Sequence, residues 1–105
     1  MKIPSDEELG ELAAWVGDVL LSGLPQISDV RNVSFEVDLL TGKVTPEEVM
    51  TESLSNLLRE ASEMFFDDLE SVFGIKKDDI KSAIIRIKGR AGGGYDISGK
   101  LDLKS

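Results

Sequence analysis

The segment RIKGRAGGGY at 86–95 places three cations, a glycine run and the chain's one tyrosine close together. Glycine runs hold phosphates when they join a strand to a helix N-terminus, where free amides and the helix dipole meet the anion. Here the run leads into Tyr95-Asp96-Ile97-Ser98, which alternates apolar and polar as a strand does. The expected role of the glycines is therefore a hairpin tip, and the residues with chemistry left to offer are Arg86, Lys88, Arg90 and Tyr95.

A second constellation is acidic. Glu60, Glu63, Asp67 and Glu70 recur at helical spacing, opposite an apolar stripe. A divalent cation needs oxygens converging from several segments, and paired-carboxylate hydrolysis needs acids facing across a cleft. A ridge on one helix meets neither requirement, so a solvated face is the expectation.

Other chemistries are excluded by residue type. The 105 residues include no cysteine and no histidine. Disulfides, thiolate metal sites, cysteine nucleophiles and histidine-dependent triads are all absent. The expectation is a protein that is not an enzyme and carries no cofactor.

These groups must be positioned by one domain, since the chain is long enough for a single core only. Ser5-Asp6-Glu7-Glu8 is a capping box opening a helix whose apolar face is Leu9, Leu12, Ala13, Val16, Val19, Leu20 and Leu24, with Gly23 and Pro25 as its stop. Gly10 and Gly17 share one flank of it, which suggests either tolerated weakness or close approach of another backbone. Val33–Leu39 alternates as a strand and ends in the turn Thr41-Gly42-Lys43. A long helix follows from Thr45 and Pro46, with Glu48 completing a second capping box and Gly74 ending it. Its expected stripe is Met50, Leu54, Leu57, Leu58, Ala61, Met64, Phe65, Leu69 and Val72. Ala83, Ile85 and Ile87, then Tyr95, Ile97, Leu101 and Leu103, form the inward faces of a C-terminal hairpin.

The order α-β-α-β-β predicts an α+β two-layer sandwich over residues 1–105: a three-stranded sheet with both helices on one face. The link from the first strand through the long helix should be a right-handed crossover. Unbroken over 46–73, that helix would run about 42 Å, against about 26 Å for a strand of eight residues. An overhang, a kink or a second chain would resolve the mismatch.

Two short likenesses to known families are present. Val30–Asp38 with Thr41–Val44 is similar to the strand–turn–strand of small ferredoxin-like metal-binding domains, which implies a ferredoxin-like sheet neighbourhood. The metal function does not follow, because those domains bind through a CxxC loop. Gly89-Arg90-Ala91-Gly92 resembles the GxxG of KH domains, but that loop joins helices, whereas this segment joins two strand patterns.

The net charge is −8, and it is unevenly spread. Residues 1–75 carry 16 acids and 4 bases; residues 76–105 carry 4 acids and 8 bases. Four residues break the helical patterns: Trp15 and Leu21 leave the first stripe, Phe66 falls on a polar side, and Asp68 falls inside the second stripe. Aromatic residues anchor interfaces more often than chance. The functional expectation is an acidic protein–protein interaction or assembly module, self-associating, with Trp15, Leu21, Phe66, Arg86, Lys88, Arg90 and Tyr95 as partner contacts. Weak nucleic-acid binding by the basic hairpin is the alternative, disfavoured by overall charge. MKIPSDEEL shows no apolar leader and no run approaches a membrane span of ~20 residues, so a cytoplasmic, membrane-free location is expected.

Overall fold

A computed structural model describes residues 2–22, 34–45, 52–90 and 94–104. Six elements follow in order: α1 (Asp6–Ser22), β1 (Ser34–Asp38), β2 (Val44–Thr45), α2 (Glu52–Phe73), β3 (Ile80–Gly89) and β4 (Tyr95–Leu103), with a 3₁₀ turn at Lys77–Asp79. The fold is α+β. The four strands form one antiparallel sheet in the order β2-β1-β3-β4.

Two sequence expectations are corrected here. The sheet has four strands, because Val44–Thr45 turns back on β1 and pairs with Glu36 and Val37. That reversal changes the topology. After a hairpin and a helix the chain re-enters antiparallel to β1, with Ser34 opposite Lys88 and Asp38 opposite Ile84. There is no parallel crossover. The hairpin partner β4 lies outside β3, at the sheet edge.

Local chemistry accounts for the element ends. The Ser5 N–H donates to Glu8 Oε1 and the Glu8 N–H donates to Ser5 Oγ, both at 3.1 Å, closing the expected capping box. Gly74, at φ 69°, ends α2 by donating its N–H to the Glu70 carbonyl at 3.0 Å. Gly94, at φ 81°, makes the last bend of the β3–β4 hairpin, where Arg90 N–H meets its carbonyl at 3.0 Å. The stop at Gly23 and Pro25 and the cap at Thr45 to Glu48 involve positions outside the described residues.

The core lies between the helices and one face of the sheet. Val16 and Leu20 of α1, Phe35 and Val37 of β1, Ile85 and Ile87 of β3, and Leu54, Phe65 and Leu69 of α2 are all fully buried. The buried stripe of α2 is rotated from the expected one. It takes in Phe66 and Phe73 and leaves Met64 and Val72 exposed at 50% and 63%. The described α2 is a continuous helix of 22 residues, about 33 Å long. The ten residues of β3 span about the same length, so the expected overhang disappears over the described residues.

α1 packs against both β4 and α2. A Cβ placed on Gly17 would sit 2.6 Å from Ile97 Cδ1, and one on Gly99 would sit 2.8 Å from the Ala13 Cβ. The missing side chains let helix and strand approach closely at these two points. At Gly10 nothing lies within 4 Å. Close approach therefore explains Gly17 only, and the group it admits is a side chain rather than a backbone.

Candidate functional site

The seven expected contact residues do not form one site. Phe66 is buried, 9% exposed, with its ring edge-on to Phe65 at 5.5 Å and the Lys77 ammonium over it at 5.2 Å. Leu21 and Tyr95 are half-buried against the core. Arg86 and Lys88 stand on the open face of the sheet, and Arg90 lies at the hairpin tip.

The open face is less basic than its sequence suggests. Arg86 bridges to Glu36 on β1, at 2.7 Å from Nε and 2.6 Å from Nη2 to the same oxygen. Arg90 folds back to Asp96 at 3.4 Å and donates to the Tyr95 carbonyl at 3.3 Å. Lys100 lies 3.9 Å from Asp102, and Lys88 stands in register with Asp96. The antiparallel register sets Glu36 opposite Arg86 and Asp96 opposite Lys88. Such exposed pairs contribute little stability, but they leave little unbalanced positive field.

The edge of this sheet is a second feature. Among the described residues, β4 has a strand neighbour on one side only. Residues 90 and 94 share a hydrogen bond across the hairpin. The alternation of antiparallel ladders then turns the backbone groups of Asp96, Ser98 and Lys100 toward β3. Those of Ile97, Gly99 and Leu101 point outward. Below them lies α1, so the strand is supported on its inner face and open along its edge.

The third feature is a groove of about 440 Å³ between α1 and α2. Its apolar lining is Leu12 and Trp15 from α1 with Val72 and Phe73 from α2. Glu8, Glu11 and Asp68 contribute its carboxylates. Trp15 and Asp68, two of the four residues that leave the expected helical patterns, thus meet across one groove. Asp68 departs only from the expected stripe: against the observed one it lies with Met64 and Val72 on the exposed row of α2.

The electrostatics of the helical layer are one-sided. α1 carries five acids and no base, and α2 six acids against Arg59 alone. Hydrogen bonds from the Ser5 backbone N–H and hydroxyl, assisted by the Lys2 ammonium, hold the Glu8 carboxyl below its usual value. Glu8 is therefore a capping carboxylate and a poor general acid. Among the described residues no three acidic side chains converge to hold a metal ion, and no helix is long and apolar enough to cross a membrane.

Comparison with known proteins adds no assignment: no family model, curated protein or solved structure matches this chain.

Proposed function

We propose that this chain is a non-enzymatic protein–protein interaction module that self-associates through the edge of β4. The observation that carries the reading is the strand itself: nine residues long, open on one side among the described residues, and backed by α1. An open edge is a template for a second strand, and evolution commonly blunts it unless it is used.

A twofold antiparallel pairing centred on Ser98 satisfies both backbone and charge. It sets Ile97 against the partner's Gly99, joining outward backbone groups on both strands. It also sets Asp96 against the partner's Lys100, twice by symmetry. Centring on Gly99 instead would oppose Asp96 to the partner's Asp102, and centring on Lys100 would oppose two lysines. Opposite charges across strands stabilise and like charges destabilise. The product is a continuous eight-stranded sheet with both acidic helical layers on the same side. Sedimentation equilibrium across the micromolar range tests this reading. Two-chain mass supports it, and a monomer at every concentration refutes it.

Nucleic-acid binding by Arg86, Lys88, Arg90 and Lys100 is the weaker reading, because each has an acid as its neighbour in space or register.

A further inference from the structure

The helical layer holds a feature that self-association through β4 does not use. Met64, Asp68 and Val72 lie on one row of α2, at successive four-residue steps. Two of them are large exposed apolar side chains with a carboxylate between them. This row borders the groove that Leu12 and Trp15 of α1 complete. A solvated helix face has no reason to alternate in this way. An apolar floor flanked by carboxylates is the complement of an amphipathic helix with a cationic border.

The protein already places ammonium groups in such settings. The Lys2 Nζ stands 5.9 Å above the Phe73 ring and 3.9 Å from Glu8 Oε2, at the same groove. On the other flank of α2, Lys77 sits over Phe66 in a hollow lined by Glu63, Asp67 and Glu70. An ammonium above an aromatic ring beside a carboxylate gains from both. These two lysines are internal instances of the recognition a partner's lysine would repeat.

We propose that the α1–α2 groove docks a cationic amphipathic helix from another protein. Its apolar side chains lie on Trp15, Leu12 and Val72, and its lysines or arginines face Glu11 and Asp68. Charge selects this occupant over a second copy. Two copies meeting groove to groove would press two acidic helical layers face to face, a like-charge contact that opposes assembly, whereas pairing through β4 leaves them side by side. A free diamine or a metal ion would leave the apolar floor without a counterpart.

The experiment uses the full chain and its one tryptophan, Trp15, as reporter. The probe is a tryptophan-free leucine–lysine peptide patterned as an amphipathic helix of about four turns. A scrambled peptide of the same composition and a leucine–glutamate version are controls. The expected result is a saturable blue shift of Trp15 emission with the patterned lysine peptide only, weakening as salt rises. E11K combined with D68K, both exposed positions, should weaken binding about tenfold or more, since 1.4 kcal/mol is a factor of ten. Val72→Asn should weaken it in the same direction with the charge of the rim unchanged. An unchanged Trp15 spectrum overturns the proposal. So does equal response to the scrambled peptide, or undiminished binding by the E11K/D68K protein when far-UV circular dichroism shows it folded.

Discussion

Replacing Gly10 and Gly17 by alanine, one at a time, separates helix propensity from packing within one helix. Both substitutions give α1 the same intrinsic gain, up to about 1 kcal/mol. At Gly10 the new methyl meets nothing within 4 Å, so the gain is expressed in full. For a domain of this size it appears as a rise of roughly 4–8 °C in Tm per kcal/mol. At Gly17 the methyl would lie 2.6 Å from Ile97 Cδ1 and 2.8 Å from Ile97 Cγ2. Rotating χ2 moves Cδ1 away but leaves Cγ2, so either χ1 leaves its rotamer or strand and helix separate. Overpacking of this kind costs about 1–3 kcal/mol. Gly17→Ala is therefore neutral to destabilising by about 2 kcal/mol, and the difference between the two variants measures the packing cost alone. Ile97→Ala combined with Gly17→Ala should recover much of that cost as a non-additive coupling of about 1 kcal/mol or more. Urea and thermal unfolding followed by circular dichroism read the parent, the three single variants and the double. Equal shifts for Gly10→Ala and Gly17→Ala would refute the close seating of α1 on β4.

Acid should weaken the start of α1 in a defined direction. Because Ser5 and Lys2 depress the Glu8 pKa from 4.5, its stabilisation is complete above that value and is lost as pH falls through the lower folded-state value; Glu8→Gln should reduce the acid sensitivity of the urea midpoint. At neutral pH, Ser5→Ala should cost about 1 kcal/mol in the same assay. For the β4 pairing, D96K or K100D alone should weaken dimerisation about tenfold, and the double exchange should restore it by sedimentation. If a dimer forms but ignores these charges, the register is wrong while self-association stands. Phe65→Ala should cost about 3–5 kcal/mol, because the ring is fully buried. Arg86→Ala should cost under about 1 kcal/mol despite its short ion pair, because both partners are exposed; the two unfolding midpoints compare them directly.

The sequence carried those parts of the fold that local chemistry dictates. Ser5 and Glu8 announce the start of α1, and Gly74 the end of α2. The alternation through Ile85, Ile87, Ile97 and Leu101 announces a hairpin. β2 is missing from the expected sheet because two residues, Val44 and Thr45, are too few to display a period, and only the strand–turn–strand likeness ending at Val44 points to it. Missing it cost the topology, since one extra reversal makes β3 antiparallel to β1. The stripe of α2 was misplaced because that helix buries a broad face. Phe66 and Phe73 fall on one side of it, and Lys77, beyond the helix end, roofs the Phe66 ring. Trp15 and Asp68 were legible singly as exceptions. Their meeting in one groove depends on how α1 lies beside α2, which no local pattern encodes. The basic face was misleading for the same reason: Glu36, which answers Arg86, belongs to a distant strand.

The seating of Gly17 on Ile97 and of Ala13 on Gly99 joins the first helix of the chain to its last strand. α1 therefore cannot bury its stripe when it is made. It has to wait until β3 and β4 exist, so the closing contact spans most of the sequence. Chain entropy must be surrendered before that contact returns anything, which places folding toward the slow end for a domain of mixed helix and strand. Until α2 and the sheet exist, Ala13, Val16 and Leu20 have nothing to pack against. The charge that isolates the helical layer in the finished molecule thus serves earlier as well, keeping nascent copies apart while the helix has no strand to lie on.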